Sequence, residues 1–324
     1  MGSVFRIISV EEDKEGIWIV KLKLTGEENG ELRQLVERGR LEMSSTIPRI
    51  ALPKLLISMG NYKGAEGFFL SALKDPSILA DPKMSSIIHN DLGLIYEKIG
   101  NPEKSVEHYQ TAVNIVEERG SADDQLLLAP TYSNLGSYHL GRKAYDTAIS
   151  FYSRAMDITV KSPKQCLTTA ANAAVYISNI GTAHLLQEHY SEALDHLSSA
   201  LQIQELCLPP NHPSYAINYT NIAQVYSGLG EKEKQIEYLN KALAIQLQSL
   251  PAGHLDFSNT FKNLALALAV SSGDRLEEAL GYAKIAYEIR LQHLPPNHPE
   301  VRDCRWTISL LDGLNRKERT ITLY

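Results

Sequence analysis

Three cysteines in 324 residues are too few for a disulfide framework. Cys166, Cys207 and Cys304 lie far apart, are odd in number and form no Cys-x-x-Cys. Neither a stapled secreted fold nor a structural zinc site is expected, and a reducing compartment is. No apolar run approaches the roughly 20 residues that a bilayer-spanning helix needs. Met1–Val10 runs straight into Glu11, Glu12 and Asp13, unlike a signal peptide. The expectation is a cytoplasmic protein without membrane contact. A basic excess is missing as well: the formal net charge is −6, which argues against a nucleic-acid partner held by phosphate contacts. Phosphate-loop, dinucleotide, zinc-protease and nucleophile-elbow motifs do not occur. No catalytic residue, cofactor or metal is therefore expected.

What is present is a well-packed soluble composition, 44% apolar and 22% charged, outside the disordered range. The length exceeds one ordinary core and suits two domains or a repeat array. Tyrosine (16) outnumbers phenylalanine (6) and tryptophan (2), which suits rings half buried with a wet hydroxyl.

Self-similarity is strong. Ser133-Asn134-Leu135-Gly136, Ser178-Asn179-Ile180-Gly181, Thr220-Asn221-Ile222-Ala223 and Lys262-Asn263-Leu264-Ala265 align, with asparagines 45, 42 and 42 residues apart. Asp91-Leu92-Gly93 precedes the first of them by 43. Each window is followed by a second pattern, such as Tyr145, Ala148, Tyr152, Ala155 or Tyr190, Ala193, Leu197, Ala200. Spacings of three and four define one helical face. Small residues there let a paired helix approach closely. Gly60, Gly100 and Gly230 fall between the paired patterns and suit left-handed helix ends. The units are joined by Leu208-Pro209-Pro210-Asn211-His212-Pro213, Leu250-Pro251-Ala252-Gly253-His254 and Leu294-Pro295-Pro296-Asn297-His298-Pro299. Their prolines fit the first position of a helix.

These windows resemble the tetratricopeptide repeat (TPR). The long period and the His-Pro linkers are similar to the kinesin light chain class of that repeat. The resemblance covers residues 47–314. It implies an all-α, right-handed superhelical solenoid of about six helix pairs, beginning near Pro48, Ser86, Pro130, Thr168, Pro213 and Leu255. A capping helix over Glu300–Leu311 follows. An irregular turn is expected at Ser271-Ser272-Gly273-Asp274, and residues 315–324 are read as a tail.

Residues 1–40 do not follow the repeat. Val4–Val10 and Ile17–Leu24 read as two strands, the first apolar on both faces, as in a strand buried within a larger sheet. Met1–Ile7, Trp18–Leu22 and Glu31–Leu35 look like the last strands and tail of an arginine-specific mono-ADP-ribosyltransferase. Some members of that family carry a TPR array downstream. The resemblance implies that the chain starts after the Glu-x-Glu turn holding the catalytic glutamate. None of that family's NAD-binding or catalytic residues is carried over.

The leading candidate site is the row Asn134, Asn179, Asn221 and Asn263. The resemblance places it on the first helices, which line the concave groove of a TPR array. One amide per repeat offers donor and acceptor to an extended peptide, as a strand edge does. The competing structural role is a bond from each amide to the neighbouring repeat. Asp91 and Arg305 stand at the two ends of the row, and Lys262, Ser137, Thr182 and Gln224 flank it. His212, His254 and His298 recur once per linker and read as helix caps rather than converging metal ligands. Cys166 and Cys207 read as buried small hydrophobes. The functional expectation is a non-catalytic module holding a protein or peptide in the groove. The alternative is the C-terminal part of an NAD-dependent ADP-ribosyltransferase whose array recruits substrate.

Overall fold

A computed structural model describes residues 4–12, 18–25, 48–162, 166–271 and 275–321. Two strands, β1 (Val4–Glu12) and β2 (Trp18–Thr25), pair antiparallel from Val4 opposite Thr25 to Glu12 opposite Trp18, with a register shift between Ile7 and Ser9. Among the described residues they pair only with each other. The Glu31–Leu35 part of the N-terminal expectation lies outside the described residues.

The other regular elements described are helices. Contacts divide the chain into two compact units, residues 1–101 and 102–324. In the first, α1 (Pro48–Ser58), α2 (Tyr62–Ala72), α3 (Pro76–Ala80) and α4 (Pro82–Ile99) enclose Ile50, Leu56, Phe69, Ile78, Ile88 and Leu92. The sequence reading started this last helix near Ser86. It starts four residues earlier, because the Asp81 carboxylate caps it by accepting the Lys83 and Met84 N–H groups, and Pro82 follows at the first position. The short α3, capped in the same way by Asp75, was not anticipated.

The second unit opens with α5 (Pro102–Arg119) and a 3₁₀ turn (Ala122–Leu127). Four helix hairpins follow. They are α6 (Leu128–Gly141) with α7 (Tyr145–Lys161), α8 (Leu167–Leu186) with α9 (Tyr190–Cys207), α10 (Pro213–Gly228) with α11 (Lys232–Ser249), and α12 (Leu255–Ser271) with α13 (Leu276–His293). The last helix, α14, runs Pro299–Ile321. It extends ten residues beyond the expected Leu311, so most of the supposed tail is helix.

The expected small-residue stripes are the buried ones: Ala148, Tyr152 and Ala155; Ala193, Leu197 and Ala200; Leu239 and Ala242. Glycines on the first helices make room for the side chains opposite them. A Cβ on Gly136 would stand 2.6 Å from the Tyr152 ring, and one on Gly181 2.8 Å from Leu197. Gly60, Gly100 and Gly230 have φ of +73°, +82° and +77°, as the turn reading requires. The equivalent turns of the α6–α7 and α8–α9 hairpins put Lys143 (φ 61°) and Glu188 (φ 62°) in that same left-handed region. Residues 272–274, the expected irregular turn of the last hairpin, lie outside the described residues.

Candidate functional site

Each linker histidine caps the helix that follows it. Nδ1 of His212 accepts the Ser214 N–H at 3.2 Å, His254 that of Asp256 at 3.2 Å, and His298 that of Glu300 at 3.3 Å. Acceptance requires the unprotonated Nδ1. Counting from these caps aligns the first helices residue by residue. Asn221 and Asn263 stand nine residues after their histidines, and the same count on α14 reaches Thr307. Arg305, read from sequence as the end of the row, is therefore out of register. It is exposed, with its guanidinium 3.3 Å from the Tyr287 hydroxyl.

The four asparagines are half-buried. Asn221 Nδ2 donates to Thr182 Oγ1 at 3.0 Å, and Asn179 Nδ2 donates to Ser133 Oγ at 3.5 Å. Each amide thus reaches a hydroxyl on the first helix of the preceding hairpin. The NH₂ sides of Asn179 and Asn221 thus serve the stacking role, while their Oδ1 atoms make no hydrogen bond among the described residues. Asn263 makes no side-chain hydrogen bond among them. Ser137 and Gln224 are exposed beside the row. Lys262 is already paired with Asp303 of α14. Asp91, in the other unit, is buried with its carboxylate 3.7 Å from Lys54, and burial raises its pKa despite that lysine. It offers no exposed acidic end to a groove.

A deeper polar seam lies three residues before each asparagine, at Thr131, Tyr176, Asn218, Thr260 and, on α14, Cys304, all buried. A buried polar residue near the end of each second helix, Thr159, Gln204, Gln246 or Arg290, matches it. Asn218 donates to Gln204 Oε1 at 2.9 Å and accepts from the Ser178 hydroxyl. Thr159 reaches the Tyr176 hydroxyl, whose pKa burial pushes up to about 12. Arg290 binds Cys304 Sγ at 3.1 Å, the Glu300 carbonyl at 3.0 Å and Asn259 Oδ1 at 2.7 Å. Where these buried polar groups satisfy one another they specify the stacking register; Gln246 Oε1 is buried without a hydrogen-bond partner among the described residues. The sequence reading missed this seam. Its signal was present, as polar residues three positions before the asparagines.

Stacked rings form another periodic feature. His139 faces Phe151 (5.3 Å), His184 faces His196 (5.4 Å, 2° between planes) and Tyr226 faces Tyr238 (5.4 Å) at equivalent places in three hairpins. His184 Nδ1 is buried without a hydrogen-bond partner. Burial, then His196, lowers its pKa.

The cysteines part company. Cys304 is buried, and burial raises its pKa. Cys166 is exposed at the start of α8, against the expectation of burial, and its hydrogen bond with Thr169 lowers its pKa. No group of three metal-ligating side chains occurs among the described residues. No described helix is long and apolar enough to cross a membrane.

This is a helix-hairpin repeat protein whose polar chemistry lies between repeats. The tetratricopeptide repeat family matches the sequence over residues 84–159 and 170–248, and those segments are tetratricopeptide repeats. No curated protein sequence matches. Among solved structures the chain is similar to the Signal Transduction ATPase with Numerous Domains protein with a tetratricopeptide repeat sensor from Pyrococcus horikoshii, with TM-score 0.61, 17% identity, and 82% of this chain and 38% of that one covered. It thus spans well under half of that ATPase. It is also similar to BtubC from P. vanneervenii (TM-score 0.52, 20% identity, 69% and 94% covered). A third likeness is to the putative kinesin light chain nearly identical TPR-like repeats of Podosopora anserina (0.50, 19%, 65% and 96%). At these identities the likeness is one of fold.

Proposed function

We propose that the protein is a non-catalytic interaction scaffold that holds an extended peptide segment of a protein partner along the concave face of its first helices. The observation that carries this reading is the half-buried row itself. Asn179 and Asn221 commit their NH₂ groups to stacking, which fixes the two amide planes and leaves an oriented Oδ1 acceptor on each, unbonded among the described residues. An extended peptide presents backbone N–H groups, the complementary donors. Asn263 keeps both amide functions, and Ser137 and Gln224 add exposed hydrogen-bonding groups. Small polar groups without a strong charge suit backbone recognition better than capture of a charged terminus.

The test is a screen of extended-peptide libraries against the full chain. Peptides found this way should lose at least tenfold in affinity to Asn263→Ala combined with Gln224→Ala, two side chains that make no bond holding the stack. Undiminished affinity for every peptide found would sink the reading.

A second reading rests on β1 and β2. Their antiparallel pairing is compatible with the end of an ADP-ribosyltransferase sheet, in which case the repeats would recruit the protein to be modified. This 324-residue chain is expected to transfer no label from NAD to an arginine-rich acceptor. An in-frame Glu-x-Glu upstream of Met1, with activity in the longer product, would support the fused enzyme.

A further inference from the structure

In the second unit, the positions of a first helix that receive the next repeat are polar on α6, α8 and α10 (Ser133 and Ser137, Ser178 and Thr182, Thr220 and Gln224) and mixed on α12 (Lys262 and Leu266). Ser133 receives Asn179, Thr182 receives Asn221, and Lys262 receives Asp303 of α14. Counted from the caps, these receiving positions lie one residue before and three residues after the asparagine. On α14 the same two positions are Trp306 and Leu310, and Leu314 continues the line one turn on. Trp306 is 61% exposed, Leu310 41% and Leu314 40%. A Cβ on Gly313, between them, would meet nothing within 4 Å. The opposite face of α14 is packed, with Val301, Cys304 and Leu311 buried. On α14 both receiving positions are apolar and exposed, and this helix has no described successor in the stack.

We propose that this stripe docks a helix from a protein partner, an amphipathic helix with an Ala/Leu stripe and acidic flanks, laid where a further first helix would stack. Continuity with the first-helix interface sets the geometry. Charge sets the chemistry: Arg302, about one turn before Trp306, and Arg305, next to it in sequence, are exposed. Asp303, the acid nearest the stripe, is neutralised by Lys262 and Arg290. A second copy of α14 laid parallel fits poorly, because Arg302 and Arg305 would then face their own copies. The surface is distinct from the asparagine row, and its occupant is helical rather than extended.

The probe is a synthetic 18-residue helix with a Leu/Ala stripe flanked by glutamates, and a control with lysines in their place. In the full chain carrying Trp18→Phe, Trp306 is the sole tryptophan. The glutamate helix should shift its emission to the blue and bind saturably. Trp306→Ser with Leu310→Ser should weaken binding at least tenfold by calorimetry, with the melting curve unchanged. Asn263→Ala should leave it unaltered, which separates this surface from the row. Equal binding of the lysine helix, or undiminished binding to the double serine variant, overturns the proposal. So does a dimer in sedimentation that Trp306→Ser dissolves, or emission already that of a shielded tryptophan in the free monomer.

Discussion

Asn221 donates its side-chain amide to the Thr182 hydroxyl at 3.0 Å, joining the first helices of two consecutive hairpins. The same amide leaves Oδ1 without a partner among the described residues, so one side chain serves stacking with its nitrogen and remains able to accept with its oxygen. A double-mutant cycle separates these functions. Asn221→Ala and Thr182→Val should each cost about 1 kcal/mol in urea unfolding, with a coupling of about 0.5 kcal/mol. Peptide affinity should fall with Asn221→Ala only. A coupling of zero would remove the hydrogen bond from the account of stacking.

Lys143 and Glu188 sit in left-handed turns whose counterparts elsewhere are glycines. A side chain there costs about 1 kcal/mol against an αR or β conformation. Lys143→Gly and Glu188→Gly should therefore each stabilise the protein, by somewhat less once the freer unfolded chain is counted. Thermal melting at fixed protein concentration checks this. A lowered midpoint for both variants would contradict it.

The His184–His196 stack makes stability depend on pH. Burial and the neighbouring imidazole hold the His184 pKa below its usual 6.5. The sign follows: the unfolded chain binds the proton more readily than the folded one. This contribution is complete above pH 6.5 and is lost as the pH falls through the folded value. Asp146 and Glu192 oppose the shift, and His189 adds to it. His139, lowered by burial and then by Arg142, works in the same direction. His184→Tyr with His196→Tyr, copying the Tyr226–Tyr238 rung, should flatten the dependence of urea midpoint on pH between about 7 and 5 relative to the parent. An unchanged slope would show that other groups carry it.

Thiol reactivity should follow exposure and thiolate character. Cys166, exposed with a lowered pKa, should react first with a chromogenic disulfide near neutral pH. Cys207 should follow, and Cys304 should wait for unfolding. Thr169→Val should slow the Cys166 phase by removing its hydrogen-bond partner. A Cys304 phase as fast in the folded protein as in denaturant would refute its burial.

Much of the fold was legible because helical packing has a short period. The Ala-x-x-x-Tyr and Leu-Gly patterns repeat at fixed offsets, and both sides of each contact lie within one hairpin, so residues such as Ala148, Tyr152 and Gly136 announce their burial. The left-handed turns at Gly60, Gly100 and Gly230 were legible because few other residues adopt that backbone freely. The start of α4 was missed because a cap is one side chain, Asp81, that no periodic pattern marks. The out-of-register Arg305 came from extending a 42-residue spacing where the linker histidines His254 and His298 stand 44 apart.

By itself the sequence determined the repeat, its hairpins and the helix-starting linkers, because each rests on local spacing and on backbone preferences of glycine and proline. Only the tertiary structure decided what the polar positions do. It showed Asn179 and Asn221 bonded backwards along the stack, Asp91 buried beside Lys54, Lys262 paired to Asp303, and Trp306 left outside. Those fates depend on which side chain of another repeat lies within about 3 Å, a distance set by how whole helices stack and not by spacing along any one of them.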